Sequence, residues 1–303
     1  MQALVLSGGA VKGAFQAGAL RVLLERGFVP DYIWGVSVGA LNGALLADRA
    51  GRAAPEAPDW AAIGAQMEEF WRKRIRTPAD IVRQRTRTAV AWGTLRGRFK
   101  GLLDNAPLRE LLRETLSVEA LRRSPVRFHA GVVNLADGQF FNADTRYPDL
   151  VEYILASATI PIAMPLVELD GAPLADGGVR EIAPLRHALH AGAERVVVVA
   201  CQARRLSATA LRSRNLFSLI DRVADILTDE ILQRDLETAA EVNLHVPADG
   251  APATTGPYPG KRRVEIQVIR PVRNPRVDLM SFRASDIHEL LELGKAAAHT
   301  ALG

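Results

Sequence analysis

Three short stretches combine a reactive side chain with closely spaced glycines. Gly35-Val36-Ser37-Val38-Gly39 is a G-x-S-x-G pattern. A serine there can be a nucleophile if it sits on a tight strand-to-helix turn that lifts its hydroxyl clear of a sheet. Glycines two residues to either side remove Cβ atoms that such a turn would crowd. A helix starting after Ser37 would direct its N–H groups and positive dipole end at the site, favouring developing negative charge. The pattern alone equally fits a plain strand–helix connection that contains a serine.

Ser7-Gly8-Gly9-Ala10-Val11-Lys12-Gly13 is the second stretch. Small residues let consecutive backbone N–H groups face a bound anion. That anion could be a phosphate or the oxyanion of an acyl-transfer intermediate. The phosphate pattern G-x-x-x-x-G-K-[ST] is not met, because Lys12 precedes Gly13 and Ala14 follows it. Nor is the dinucleotide pattern G-x-G-x-x-G, and no acidic residue is suitably placed after a second strand. An acyl-transfer enzyme needs oxyanion donors worth about 3–4 kcal/mol each. Asp176-Gly177-Gly178 is the third stretch. By itself it reads as an ordinary Asx turn, and its interest comes from the other two.

Positioning these residues requires a particular run of elements. Residues 2–6 are a short apolar strand that ends at the first glycine turn. Apolar positions at helical spacing follow over 14–25, with Gly27 placed to stop the helix. A second strand spans 32–36 and a small-residue helix 40–46. Strand, turn, helix, strand, sharp turn and helix begin a parallel sheet with packed helices. Residues 50–59 read as a loop, and 60–121 as helices with no convincing strand, so 50–125 is expected to form a helical insertion or cap. Strands resume at 126–134 and 139–141, joined by an Ala136-Asp137-Gly138 turn. A helix at 150–158, a hairpin over 167–174, a helix at 183–191 and a buried strand at 195–200 follow. Then come a helical stretch over 206–241, a Pro/Gly/Thr loop, a strand at 264–269 and a helix at 285–301. No internal repeat is found. The expectation is one 303-residue α/β domain of three layers, α/β/α, with a mostly parallel central sheet.

Composition agrees with a globular chain: 48% hydrophobic, 24% charged, formal net charge +4. The single cysteine, Cys201, cannot form an internal disulfide and ends an apolar run, so it reads as a packing residue. No apolar stretch is long enough to span a bilayer, and the opening residues lack a basic n-region. The expected setting is the cytoplasm, either soluble or peripheral to a membrane.

Four blocks, taken together, resemble the patatin-like phospholipase family. Residues 6–20 resemble its oxyanion loop, and 35–42, Gly-Val-Ser-Val-Gly-Ala-Leu-Asn, its nucleophile elbow. Ala156-Ser157-Ala158-Thr159-Ile160-Pro161, with Pro165 beyond, is similar to the block before its aspartate, and Leu174-Ala175-Asp176-Gly177-Gly178 to the aspartate block itself. Residues 103–108 are also similar to the family. The chain departs at Ala10, where a third glycine is usual, and at Lys12, where arginine is frequent.

The resemblance implies a serine lipid acyl hydrolase of the phospholipase or lysophospholipase type, working through an acyl-enzyme. Ser37 would be the nucleophile and Asp176 its general base, with no histidine. Gly8, Gly9, Ala10 and Lys12 would make the oxyanion loop. Neither metal nor other cofactor is implied. An acyltransferase or thioesterase with the same dyad, and a non-catalytic membrane-associated scaffold, remain alternatives. A Ser-His-Asp triad would need an elbow after several strands, and Ser37 follows only two. None of the six histidines lies in a catalytic-looking turn.

Residues 71–100 hold ten Lys or Arg against one acid, Asp80, with Trp71, Trp92 and Phe99 interleaved. An anionic lipid surface and a solvated helical face fit this pattern equally. Nucleic acid is not expected, and the sequence is silent on oligomeric state.

Overall fold

The computed structural model describes residues 1–204, 216–275 and 277–303. Strand β1 (Gln2–Leu6) leads through a short 3-10 turn into helix α1 (Gly13–Glu25). That helix stops as expected at Gly27. Its φ of 80° lets the Gly27 and Phe28 amides close back on the Leu24 and Leu23 carbonyls, both at 3.1 Å. Strand β2 (Tyr32–Val36) and helix α2 (Val38–Ala53) follow. Helix α2 outruns the expected 40–46, because Ala-rich residues up to 53 continue a favourable helix that packs on the later helix at 118–123. The loop expected from residue 50 is correspondingly shorter.

Helix α3 (Trp60–Arg74) is capped by Asp59, whose carboxylate accepts the Ala62 N–H at 2.9 Å. Beyond it, the structure departs from an all-helical insertion. Strands β3 (Arg83–Gln84) and β4 (Leu103–Asp104) pair antiparallel around helix α4 (Arg87–Leu95). Two residues per strand carry too little alternation to be read from sequence. Helices α5 (Ala106–Thr115) and α6 (Val118–Arg123) then return the chain to the sheet.

Strands β5 (Arg127–Asn134) and β6 (Phe140–Ala143), helix α7 (Leu150–Ser157), and strands β7 (Val167–Leu169) and β8 (Ala172–Asp176) come next. Helix α8 (Leu185–His190), strand β9 (Arg195–Val199), helix α9 (Leu216–His245), strand β10 (Glu265–Ile269) and helix α10 (Ala284–Leu302) complete the order. The expected helix over 206–241 lies outside the described residues at 206–215, and its described part runs on to His245.

The sheet order is β10-β9-β1-β2-β5-β8-β7, with β6 also on β5. Strands β10, β9, β1, β2 and β5 are parallel, and the β5–β6, β5–β8 and β7–β8 pairs are antiparallel. Alternate residues serve opposite faces. Leu4, Leu6 and Ile33 pack with Phe15, Leu20, Leu45 and Leu291 under α1, α2 and α10. Ala3, Val5 and Trp34 pack with Leu185, Ala188, Leu232 and Ala239 of α8 and α9. This is a three-layer α/β/α fold with a mostly parallel sheet. The turns after β1 and β2 both open at the carboxyl end of the parallel strands, where open α/β sheets bind ligands.

Candidate active site

Ser37 occupies the one-residue turn between β2 and α2, at φ 57° and ψ −128°. This backbone region is sparsely populated by residues with a side chain, at a cost of about 1–3 kcal/mol. The surroundings enforce it. A Cβ on Gly39 would collide with the carbonyls of Leu6 and Ser7, so the elbow lies directly on the end of β1. The Ser37 N–H donates to Ser157 Oγ at 2.9 Å, and Ser157 Oγ–H donates to the Gly131 carbonyl at 2.7 Å.

Asp176 ends β8. Its amide donates to the Thr159 carbonyl at 3.0 Å, and its Oδ1 accepts the Gly178 N–H at 2.7 Å. The Ser37 hydroxyl stands beside the carboxyl, close enough to favour its ionised form. Burial, the largest influence, raises the Asp176 pKa to about 6, against the pull of the Ser37 hydroxyl and the Gly178 bond. Ser37 and Asp176, 139 residues apart in sequence, are therefore neighbours, both only 7% exposed. Among the described residues no histidine hydrogen-bonds to either. His187 instead lies 3.0 Å from Asn142 and 3.3 Å from Glu181, and His129 stacks on Trp34 with ring centres 5.1 Å apart.

The four residues of the glycine loop do different things. The Gly8 amide donates to the Ile182 carbonyl at 2.9 Å, and the Lys12 amide to the Gly9 carbonyl at 3.0 Å. These two bonds hold the loop. The Gly9 and Ala10 amides donate to no acceptor among the described residues. Ala10 takes φ 49°, a left-handed conformation that an alanine can adopt at modest cost. Sequence reading missed the buried polar chain beneath the loop. Trp71 Nε1–H donates to Asn42 Oδ1 at 2.8 Å, Asn42 donates to Gln16 Oε1 at 3.0 Å, and Gln16 donates to the Ser7 carbonyl at 2.8 Å. No local pattern announces these contacts, since each partner comes from a different element.

Ser37 also forms part of the wall of an open, mostly apolar cavity. Of the other lining residues, Ala10 comes from the glycine loop, and Val38 and Leu41 from α2. Trp71, Ile75, Ile81 and Leu108 come from the segment between α2 and β5, Ala158, Ile160 and Met164 from the end of α7 and beyond, and Leu279 from the segment before α10. Trp71 is thus a buried wall residue, 1% exposed, and not a surface aromatic. Among the described residues no three His, Cys, Asp or Glu side chains are grouped to hold a metal ion, and no helix is long and apolar enough to cross a membrane.

A protein-family model described as patatin-like phospholipase matches residues 4–189. The chain is 26% identical over 196 residues to Lysophospholipase nte1 of Aspergillus terreus, covering 65% of this chain and 12% of that protein. It is 52% identical over 46 residues to patatin-like phospholipase domain-containing protein 7 of Rattus norvegicus, covering 15% and 3% respectively. The chain therefore spans only a small part of these relatives' length. Among solved structures it is similar to VipD from Legionella pneumophila, with TM-score 0.44 and 14% identity over 99% of this chain and 66% of that one. Because the family model covers more than half of its residues, including both glycine turns and the Asp176 turn, the chain belongs to the patatin-like phospholipase family.

Proposed function

We propose that the chain is a serine lipid acyl hydrolase that uses a Ser37–Asp176 dyad. One observation carries this reading. The Ser37 hydroxyl, beside a buried carboxylate, is the one hydroxyl among the described residues lining an otherwise apolar cavity. An acyl chain fills that cavity and brings its ester carbonyl to Ser37. Asp176 takes the hydroxyl proton as Oγ bonds to the carbonyl carbon, and the Gly9 and Ala10 amides hold the resulting oxyanion. Collapse breaks the ester bond, and Asp176 returns its proton to the departing alcohol oxygen. Water, deprotonated by Asp176, then attacks the acyl carbonyl, and Asp176 passes that proton to Ser37 Oγ as the Oγ–acyl bond breaks and the fatty acid leaves. Neither metal nor other cofactor takes part in these steps.

The fungal relative is named a lysophospholipase, so lysophospholipid is the first lipid to test. Fatty-acid release should follow the cavity. Leu279 is only partly buried, so Leu279→Trp can narrow the cavity without disturbing the core. Each excluded methylene costs about 0.8 kcal/mol, so losing room for three lowers kcat/KM for long-chain esters by on the order of 50-fold. Acetyl-ester hydrolysis should be unchanged. A uniform loss over all chain lengths would place the acyl chain elsewhere.

The substrate is held in membranes, and the surface supports contact with an anionic one. The basic stretch divides in two. Arg72 pairs with Glu68 at 2.7 Å, Lys73 with Glu69 and Arg74 with Glu114, which neutralises those three. Arg83, Arg87, Arg96, Arg98 and Lys100 are exposed and form no ion pair among the described residues. Beside them Trp92, Leu95 and Phe99 are 56%, 79% and 45% exposed. The base of this projection is joined to the cavity wall. The Leu102 and Leu103 amides donate to the Ala163 carbonyl at 3.0 and 2.8 Å, next to Met164. Arg85 is half-buried and donates to the Leu103 carbonyl at 3.3 Å, so it is left intact in the test. Replacing Arg83, Arg87 and Arg98 with Gln should weaken binding to phosphatidylglycerol vesicles by on the order of 100-fold, at about 1 kcal/mol per charge. Soluble-ester hydrolysis should not change. Equal vesicle binding of variant and parent would make the projection a solvated face.

A further inference from the structure

The Ala156–Pro161 block stands out in the sequence, yet none of its side chains enters the proposed chemistry. Its backbone and one hydroxyl nevertheless contact both members of the dyad. Ser157 is the last residue of α7 and completely buried. Its hydroxyl has one proton, which goes to the Gly131 carbonyl at 2.7 Å, leaving its lone pairs to accept the Ser37 N–H at 2.9 Å. Two residues on, the Thr159 carbonyl accepts the Asp176 amide at 3.0 Å. Thr159 is itself fixed, since its hydroxyl donates to the Leu155 carbonyl at 2.8 Å and accepts from Asn105 at 3.1 Å. Gly131 belongs to the strand between β2 and β8. It faces Val36, the residue before Ser37, and its neighbour Val132 faces Asp176.

We propose that Ser157 is a positioning residue for the reaction, which braces the strained Ser37 turn against the strand and helix end that also fix Asp176. Three consequences follow. The bond holds Ser37 at a φ it would otherwise leave. It sets the distance over which the Ser37 proton passes to Asp176. It also occupies the Ser37 N–H, so the oxyanion must be held by other amides, which suits the open Gly9 and Ala10 pair.

The inference rests on the dyad reading, so Ser37→Ala is assayed alongside. Ser157→Ala should lower kcat by on the order of 10- to 100-fold, the scale of a small misplacement of reacting groups, with KM little changed. Its rate of labelling by a fluorophosphonate should fall in parallel. A loosened Ser37 hydroxyl no longer pulls the Asp176 pKa down, so the acid limb of kcat/KM should move to higher pH. Leu290→Ala, buried in α10 and not among the cavity-lining residues, supplies a destabilised comparison and should keep parental kcat and pH limb. Should Ser157→Ala not fold, Ser157→Cys keeps the volume while weakening both hydrogen bonds, and the same three changes are expected in smaller degree. Parental kcat and pH limb in the folded Ser157 variant would overturn the proposal, as would an equal kcat loss in Leu290→Ala. Full activity in Ser37→Ala would instead remove the dyad reading on which the proposal rests.

Discussion

Asp176→Asn is expected to lose activity and gain stability together. Asparagine cannot take the Ser37 proton, so kcat should fall by on the order of 10⁴-fold, the scale seen when a base that acts with a nucleophile is removed. The stability change follows from the buried carboxyl. Its pKa is about 6 in the folded protein, raised chiefly by burial from an ordinary 3.8. Between those two values the folded state holds the proton more tightly than the unfolded chain, so stability falls as pH rises through this window. About two pKa units at roughly 1.4 kcal/mol each give a penalty of about 3 kcal/mol at neutral pH. Asparagine can still accept the Gly178 N–H and carries no such penalty. The melting temperature of Asp176→Asn should therefore match the parent near pH 4 and exceed it at pH 8 by several degrees. A variant destabilised equally at both pH values would give Asp176 a structural role only.

Ser37→Ala carries the other large effect. Hydrolysis of p-nitrophenyl butyrate should fall by on the order of 10⁴- to 10⁶-fold while the fold is kept. Alanine suffers the same backbone strain at φ 57° as serine, so the substitution does not relieve it. Ser37→Gly should be equally inactive but more stable than Ser37→Ala by about 1–3 kcal/mol, because glycine tolerates that conformation. An active Ser37→Ala, or a Ser37→Gly no more stable than Ser37→Ala, would contradict the nucleophile turn from the chemical or the conformational side.

Much of the fold could be read from the sequence because the relevant physics is local. The apolar runs of β1, β2 and β9 and the stop at Gly27 each follow from a few consecutive residues. The Ser37 turn is legible because a tight strand–helix turn requires glycine neighbours, whereas Asp176 stands in what reads locally as an Asx turn and is singled out only by the family resemblance. What could not be read was tertiary. Arg83-Gln84 and Leu103-Asp104 pair across 18 intervening residues without any alternating pattern to reveal them. Trp71 sits in a basic run that suggested a surface, yet its indole faces Asn42 and the cavity. Arg72, Lys73 and Arg74 find their acids on the same helix, on α5 and on α10, which charge counting along one segment does not show. The glycine loop is legible as a turn with backbone amides available to an anion. Which amides stay open depends on the distant Ile182 carbonyl that engages Gly8.

The most direct test of the dyad is the pH dependence of fluorophosphonate labelling, with the modified residue mapped by peptide mass spectrometry. A single adduct on Ser37 is expected. Its rate of formation should fall below about pH 6, as Asp176 takes up one proton, and both adduct and pH limb should persist in His129→Ala and His187→Ala. An adduct on another residue, or an acid limb abolished by removing either histidine, would contradict a Ser37–Asp176 dyad.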